Sequence, residues 1–169
     1  MKFKWSDIVG AIFLMIPMTV SAFQNEPDGF RGIKWGTDFS ANTSEMSVVE
    51  KVKDEIFYFR KGDKLSIGGA ELKRITYGYR KGKLMSIMLN SSGINNKTAL
   101  IDAFREQFGR PDKPNQFLDQ YWWRGPVAVI SLDCNPIRHE CMAIMFSTDQ
   151  LNQRQEEKKK EAEAAKKDF

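Results

Sequence analysis

The sequence is poor in the residues that build metal centres and disulfide frameworks. Its 169 residues include one His and two Cys. A single imidazole excludes metal sites that need several histidines, and two thiols cannot form the framework of a small cysteine-rich protein. The 12 Gly and 6 Pro are too few for a collagen-like or low-complexity chain. The length therefore suits one ordinary globular domain.

The sequence also lacks the short motifs that mark common enzyme classes. It has no glycine-rich phosphate loop leading into a helix and no Gly-x-Ser-x-Gly elbow. Its carboxylates are numerous and scattered, so no pair can be assigned to glycoside hydrolysis. We therefore expect no catalytic residues, no metal ion and no cofactor, and we favour a protein that is not an enzyme.

Residues 1–22 (MKFKWSDIVGAIFLMIPMTVSA) have the layout of a secretory signal peptide. Two lysines near the start precede an apolar run of 13 residues, from Ile8 to Val20, and small side chains precede the expected cut after Ala22. The run is shorter than the roughly 20 residues of a membrane-spanning helix. We expect a cleaved leader and a periplasmic or secreted protein without a stable membrane span. An uncleaved N-terminal anchor is the alternative.

Positive charge is spread along the chain. The formal net charge of +4 falls to +3 without the leader. The densest basic group lies in a predicted hairpin and comprises Lys73, Arg74, Arg80, Lys81 and Lys83. Basic residues that discourage pairing at an exposed strand edge explain this group. A nucleic-acid binder instead concentrates its positive charge on one face. We therefore expect no nucleic-acid partner.

Most of the body is predicted to form strands separated by Gly turns. Residues 30–36 predict a first strand, and residues 37–40 predict the start of a helix or a turn. Residues 44–53 fit no single pattern, and strand signals dominate from residue 55 onward.

The register of the central hairpin can be predicted from its apolar pattern. Apolar residues alternate on both strands: Ile75, Tyr77 and Tyr79 on the first, and Met85, Ile87 and Leu89 on the second. Pairing Ile75 with Ile87 and Tyr77 with Met85 brings the two sets together and predicts a three-residue connection, residues 80–82. A two-residue turn would place Tyr77 opposite Ser86, so we expect the longer connection.

Residues 95–108 predict the main helix. Asn95 or Asn96 is the expected cap, and Gly109 and Pro111 end the pattern. Residues at helical spacing predict the face that packs on the core, namely Leu100, Ala103, Phe104, Gln107 and Phe108.

A second helical segment begins with a capping box at Ser147 to Gln150. Because residues 149–169 are highly charged and nearly devoid of large apolar residues, we expect a solvated helical tail that frays into disorder. A partner-binding arm is the alternative.

Cys134 and Cys141 flank a six-residue loop. If they face each other, Leu132 lies opposite Ala143 and one face of the hairpin becomes wholly apolar. Because exported thiols tend to be oxidised, this pattern predicts a disulfide. The alternatives are a Cys134 nucleophile with His139 as its base, and a zinc site formed by both cysteines and His139. The first lacks an orienting group, and the second lacks another ligand pair.

The most distinctive cluster is Tyr121, Trp122, Trp123 and Arg124. Aromatic residues and Arg are enriched at binding hot spots, so this cluster is the candidate binding surface. In a strand, Tyr121 and Trp123 point one way while Trp122 and Arg124 point the other. Packing of both faces within the sheet is the alternative explanation.

Three strings, GFRGIKWGT (29–37), YFRKGDKLSIGGAELKRITYGYRKGKL (58–84) and FREQFGRPD (104–112), resemble a group of small exported bacterial proteins without assigned function. The resemblance covers most of residues 27–147, and it implies export and a shared α+β domain without supplying active-site residues.

The expected organisation is a leader (1–22), a single α+β domain (23–148) and a charged tail (149–169). The domain is expected to be an antiparallel sheet of hairpin-linked strands with one main packed helix. We interpret the protein as a non-enzymatic binding or interaction module of the bacterial cell envelope, with an unknown protein or small ligand as partner. The alternatives are an envelope hydrolase that uses carboxylates and an assembly protein that acts through its tail.

The leader yields a direct prediction. Protein recovered from the envelope fraction should begin at Phe23, as measured by intact mass and N-terminal sequencing. An Ala22→Arg variant should keep its leader, because the cut requires a small residue at this position. A native chain that still begins at Met1 would support the anchor alternative.

Overall fold

The computed structural model describes residues 23–166, so the expected leader lies outside the described residues. In chain order the strands are β1 (Gly29–Phe30), β2 (Ile33–Lys34), β3 (Met46–Val52), β4 (Glu55–Arg60), β5 (Ser66–Ile67), β6 (Ala70–Glu71), β7 (Arg74–Arg80), β8 (Lys83–Ser92), β9 (Asp119–Arg124), β10 (Ala128–Cys134) and β11 (Glu140–Ser147). A 3₁₀ helix spans Phe39–Glu45, and the α-helices are α1 (Ile94–Phe108) and α2 (Thr148–Ala165).

Seven strands form one antiparallel sheet in the order β3-β4-β7-β8-β11-β10-β9. The pairs β1-β2 and β5-β6 form two separate small hairpins. The predicted α+β class is confirmed, with hairpin-linked strands, one main packed helix and a helical C-terminal segment.

The two faces of the large sheet differ in what covers them. One cross-strand row runs through six strands in register: Tyr58, Tyr77, Ile87, Met145, Ile130 and Trp123. All six side chains are buried in the core, which also holds Leu100, Phe104 and Phe108 of α1. We call this side the covered face. Because strand side chains alternate, the neighbouring rows point to the opposite side, which we call the open face.

The predicted register of the central hairpin is wrong. Tyr77 lies opposite Ile87 and not Met85, and the connection is the two-residue turn Lys81-Gly82, with φ of 49° and 78°. Positive φ at both turn residues matches the right-handed twist of the strands. A bulge beside Gly78 leaves Met85 without a partner in the pairing. The extra residue shifts the register, so that Tyr77 still meets an apolar residue.

The expected first strand is also divided. Residues 30–36 contain the turn of the β1-β2 hairpin, where Arg31 and Gly32 have φ of 48° and 82°. The ambiguous residues 44–53 contain the whole of β3, an edge strand of the large sheet. The helix or turn expected at residues 37–40 is confirmed, since the 3₁₀ helix begins at Phe39 and the Asp38 carboxylate accepts hydrogen bonds from Ser40.

Helix α1 confirms the predicted span and corrects its cap. Gly93 occupies the N-cap position, and no side chain caps the helix. Asn96 instead accepts a hydrogen bond from the Glu71 N–H at 3.0 Å and donates to the Ser92 carbonyl at 2.9 Å. The expected face is right for Leu100, Phe104 and Phe108, whereas Ile101 is buried and Gln107 is exposed. Asn96 therefore joins the helix to β6 and β8 and leaves the helix end uncapped by a side chain.

The predicted register of the β10-β11 hairpin is confirmed. Cys134 lies opposite Cys141, Leu132 opposite Ala143 and Ile130 opposite Met145. The two sulfur atoms lie at a bonding distance of 2.06 Å, and both cysteines are buried. The pair therefore closes the hairpin at its tip, and neither thiol is free for the nucleophile or zinc alternatives.

The disulfide gives a stability prediction. A Cys134→Ala/Cys141→Ala variant should lose about 2–3 kcal/mol of unfolding free energy, because the cross-link restricts a short loop of the unfolded chain. Denaturant unfolding without reductant measures this loss. Wild-type protein in reductant is the control and should approach the variant. Equal unfolding midpoints for the variant and the oxidised wild type would contradict the prediction.

Candidate functional site

The open face is the side of the sheet that the packing leaves without a full layer. Helix α1, the small hairpins and the 3₁₀ helix contribute their apolar residues to the core of the covered face. Helix α2 contacts β10 and β11, the strands that meet at its start. Its ion pairs reach Glu55 and Arg80, at the end of the sheet where β4 and β7 meet. On this face Thr76 and Ser86 are buried, whereas the side chains toward β11, β10 and β9 remain partly accessible.

Two adjacent rows supply the apolar part of the open face. In register across the strands, the rows are Thr76–Met88–Ile144–Ser131–Trp122 and Gly78–Ser86–Phe146–Val129–Arg124. Met88, Ile144, Phe146 and Val129 are each only partly buried. We define the open-face patch as Met88, Trp122, Val129, Ile144 and Phe146 from these rows, together with Met142 from the next row.

The structure separates the four residues of the predicted aromatic surface. Tyr121 and Trp123 are buried on the covered face, and the indole N–H of Trp123 donates to the Gly109 carbonyl at 3.0 Å. Trp122 and Arg124 lie on the other side, with the guanidinium 4.8 Å from the indole centre. The predicted alternation is confirmed, and only Trp122 and Arg124 are available to a partner.

A third row, which sequence reasoning missed, contributes four of its five residues to the lining of an open groove of about 680 Å³. The row reads Arg74–Asn90–Met142–Asp133–Gln120 across five strands. Lys73 and Arg138 also line the groove. The alternation of polar with apolar residues could have shown which face of its own strand each residue occupies. It could not have shown that the residues form one row, because that depends on the order of five strands in the sheet.

The carboxylates of this groove already have partners. Gln120 donates to the Asp133 carboxylate at 2.7 Å, and Arg138 pairs with Glu140 at 3.2 Å. Arg74 and Lys73 are exposed, and neither forms an ion pair with another described residue. The groove therefore presents two available cations beside the open-face patch.

A separate buried polar cluster centres on Asp63. Its carboxylate accepts hydrogen bonds from Arg31 and from the Tyr77 hydroxyl, each at 2.6 Å. Burial and the Asp63 hydrogen bond raise the pKa of Tyr77, so the phenol stays protonated. This cluster attaches the β1-β2 turn and the loop after β4 to the core, which is a structural role.

Polar contacts hold α2 against the domain. The Ser147 hydroxyl accepts from the Gln150 N–H at 3.3 Å, which confirms the predicted cap, and Gln150 is buried. The buried Arg80 guanidinium pairs with Asp54 at 2.8 Å and with Glu157 at 2.5 Å. Hydrogen bonds from Lys81 and Arg80 lower the pKa of Glu157. The helix therefore docks through charge as far as Glu157, whereas residues 158–166 are exposed, as expected for a solvated helical tail.

Within residues 23–166, no group of three His, Cys, Asp or Glu side chains is arranged to hold a metal ion. In the same part of the chain, no helix is long and apolar enough to cross a membrane. The chain matches no protein-family model, no curated protein and no solved structure.

Asp119, at the start of β9, gives a prediction about pH. Hydrogen bonding from Lys97 lowers its pKa below the ordinary 3.8, against a smaller opposing effect of burial. Because the pKa of Asp119 is lower in the folded protein, its ionised carboxylate stabilises the fold. This stabilisation is complete above the ordinary pKa of 3.8 and is lost as the pH falls through the folded pKa. Asp119→Asn should therefore cost about 0.5–1 kcal/mol near neutral pH and almost nothing in strong acid.

Unfolding curves across this pH range measure the difference. Asp112→Asn is the control, because its exposed pair with Arg124 should contribute less. An equal loss at all pH values would contradict the role of the Asp119 charge.

Proposed function

We propose that the protein is an exported, non-enzymatic binding module of the bacterial cell envelope. Its partner is a protein that lays an amphipathic segment across the open face of the sheet. The observation that supports this proposal is the partly exposed open-face patch on β8, β11, β10 and β9, opposite the face that packs on α1. An apolar patch bordered by polar residues is typical of an interaction surface.

The composition of the patch fits a protein partner. Met88 and Met142 have flexible, polarizable side chains that adapt to the shape of a bound segment. Trp122 offers a large flat surface on edge strand β9, and residues of this type often dominate binding energy. The partner segment therefore needs apolar side chains that follow the two rows of the sheet.

Charge at the border of the patch sets the second requirement. Arg74 lies at one end of the groove row and has no ion-pair partner among the described residues. Among the described residues, the ion-pair partner of Arg124 is the exposed Asp112 carboxylate, at 3.0 Å. An acidic residue of the partner could replace this contact at little cost, because exposed ion pairs contribute little. The partner segment should therefore carry acidic residues beside its apolar ones.

The two alternatives, an envelope hydrolase and an assembly protein that acts through its tail, have less support. Asp133 and Glu140 in the groove have partners in Gln120 and Arg138, and Asp112 beside Trp122 pairs with Arg124, which gives a hydrolase no available acid-base pair there. The first part of the charged tail is occupied by its own domain through Arg154 and Glu157, so it is a poor candidate for an assembly arm.

Site-specific photo-crosslinking in intact cells tests the proposal. A photoreactive residue at Met142, which is 42% exposed within the patch, should give a discrete protein adduct. The matched control is Val48 on β3, which is 54% exposed, pairs with Tyr58 of β4 and lies outside the patch. Trp122→Ala combined with the Met142 probe should reduce the adduct several-fold while leaving the circular dichroism spectrum unchanged.

The proposal fails if the Met142 probe gives no protein adduct, or if Val48 gives the same adducts in equal yield. It also fails if Trp122→Ala leaves the Met142 adduct unchanged. Competition by excess unlabelled protein separates a saturable partner from random collisions.

A further inference from the structure

Four large apolar side chains are exposed at one end of the sheet, beyond the groove that borders the open-face patch. They come from three segments of the chain: the start of α1, the loop before β9 and the tip of the β10-β11 hairpin. We call them the tip cluster: Ile94 (60% exposed), Phe117 (84%), Leu118 (41%) and Ile137 (85%).

Contacts between the three segments hold the cluster together. The Gly93 N–H donates to the His139 carbonyl at 3.0 Å, which joins the start of α1 to the hairpin tip. Lys97 pairs with Asp119 at 2.5 Å, which joins the first turns of α1 to the start of β9. Asp119 in turn lies opposite Cys134, beside the paired cysteines. The four apolar side chains therefore lie at the same end of a rigid framework.

Cations surround the tip cluster. Lys97, Lys113 and Arg138 lie in the same three segments, where they share the carboxylates of Asp119 and Glu140. Lys73 and Arg74, at the same end of the sheet, have no ion-pair partner among the described residues. The carboxylates of Asp133 and Glu71 also lie at this end, so it carries five cationic side chains against four carboxylates.

We propose that the tip cluster binds the surface of a membrane that contains anionic phospholipids. Phe117, Ile137 and Ile94 enter the boundary between headgroups and acyl chains, while the lysines and arginines contact phosphate groups. Apolar side chains presented by separate segments can each enter a lipid layer, whereas a protein partner needs a continuous surface to exclude water. The surrounding cations match the negative potential of such a membrane.

Vesicle binding tests the proposal with protein purified from the envelope fraction. The probes are vesicles of phosphatidylglycerol with phosphatidylethanolamine, and neutral phosphatidylcholine vesicles as the comparison. Wild type should sediment with the anionic vesicles, and added salt should weaken the binding. Phe117→Ser/Ile137→Ser should reduce partitioning about tenfold or more, because two apolar side chains no longer leave water.

The matched control is Val127→Ser, which changes a residue that is 45% exposed at the opposite end of the sheet. This variant should bind vesicles like wild type. A Phe117→Trp variant provides a second readout, since brominated lipid should quench the fluorescence of an inserted indole. Absence of wild-type binding, equal binding to neutral vesicles, equal binding by the double variant or absence of added quenching would each overturn the proposal.

Discussion

The structure depends on the burial of one cross-strand row beneath α1. Tyr77 and Trp123 lie in this row, and Phe104 and Phe108 of the helix pack against Trp123 at ring distances of 5.8 and 6.1 Å. Because side chains alternate along every strand, fixing this row on the covered face fixes the neighbouring rows on the open face. A shift of one residue in any central strand would expose the aromatic core. The open-face patch is therefore a consequence of the way the core is packed.

The two hairpins show what could be predicted from the sequence and why. For β10-β11, the cysteine pair and the apolar alternation indicate the same register, and the prediction is confirmed. For β7-β8, the apolar alternation alone was used, and it led to the wrong turn. The Lys81-Gly82 turn matches the twist of the strands. The bulge then leaves Met85 unpaired, so that Tyr77 lies opposite the apolar Ile87. Periodicity cannot reveal such a bulge. The shorter turn shifts the strand pairing by one residue and the bulge shifts it by one more, so apolar residues again face apolar residues.

The candidate site was predictable only within a single strand. Alternation separated Trp122 from Trp123 correctly, since both belong to β9. The groove row was not predictable, because it joins residues from five strands and depends on the order in which those strands pair. The docking of α2 was missed for a related reason. Its anchors, Arg80 and Glu157, are 77 residues apart, and helix composition contains no information about so distant a partner.

The central claim, that one face of the sheet is packed and the other is accessible, is tested most directly by oxidative footprinting read by mass spectrometry. The chain provides two matched pairs: Trp122 against Trp123, and Met142, which is 42% exposed, against Met145, which is 3% exposed. We predict that Trp122 and Met142 are oxidised several times faster than their partners in the native protein, and that the differences disappear on unfolding. Equal oxidation of Trp122 and Trp123, together with equal oxidation of Met142 and Met145, would contradict the one-sided packing of the sheet.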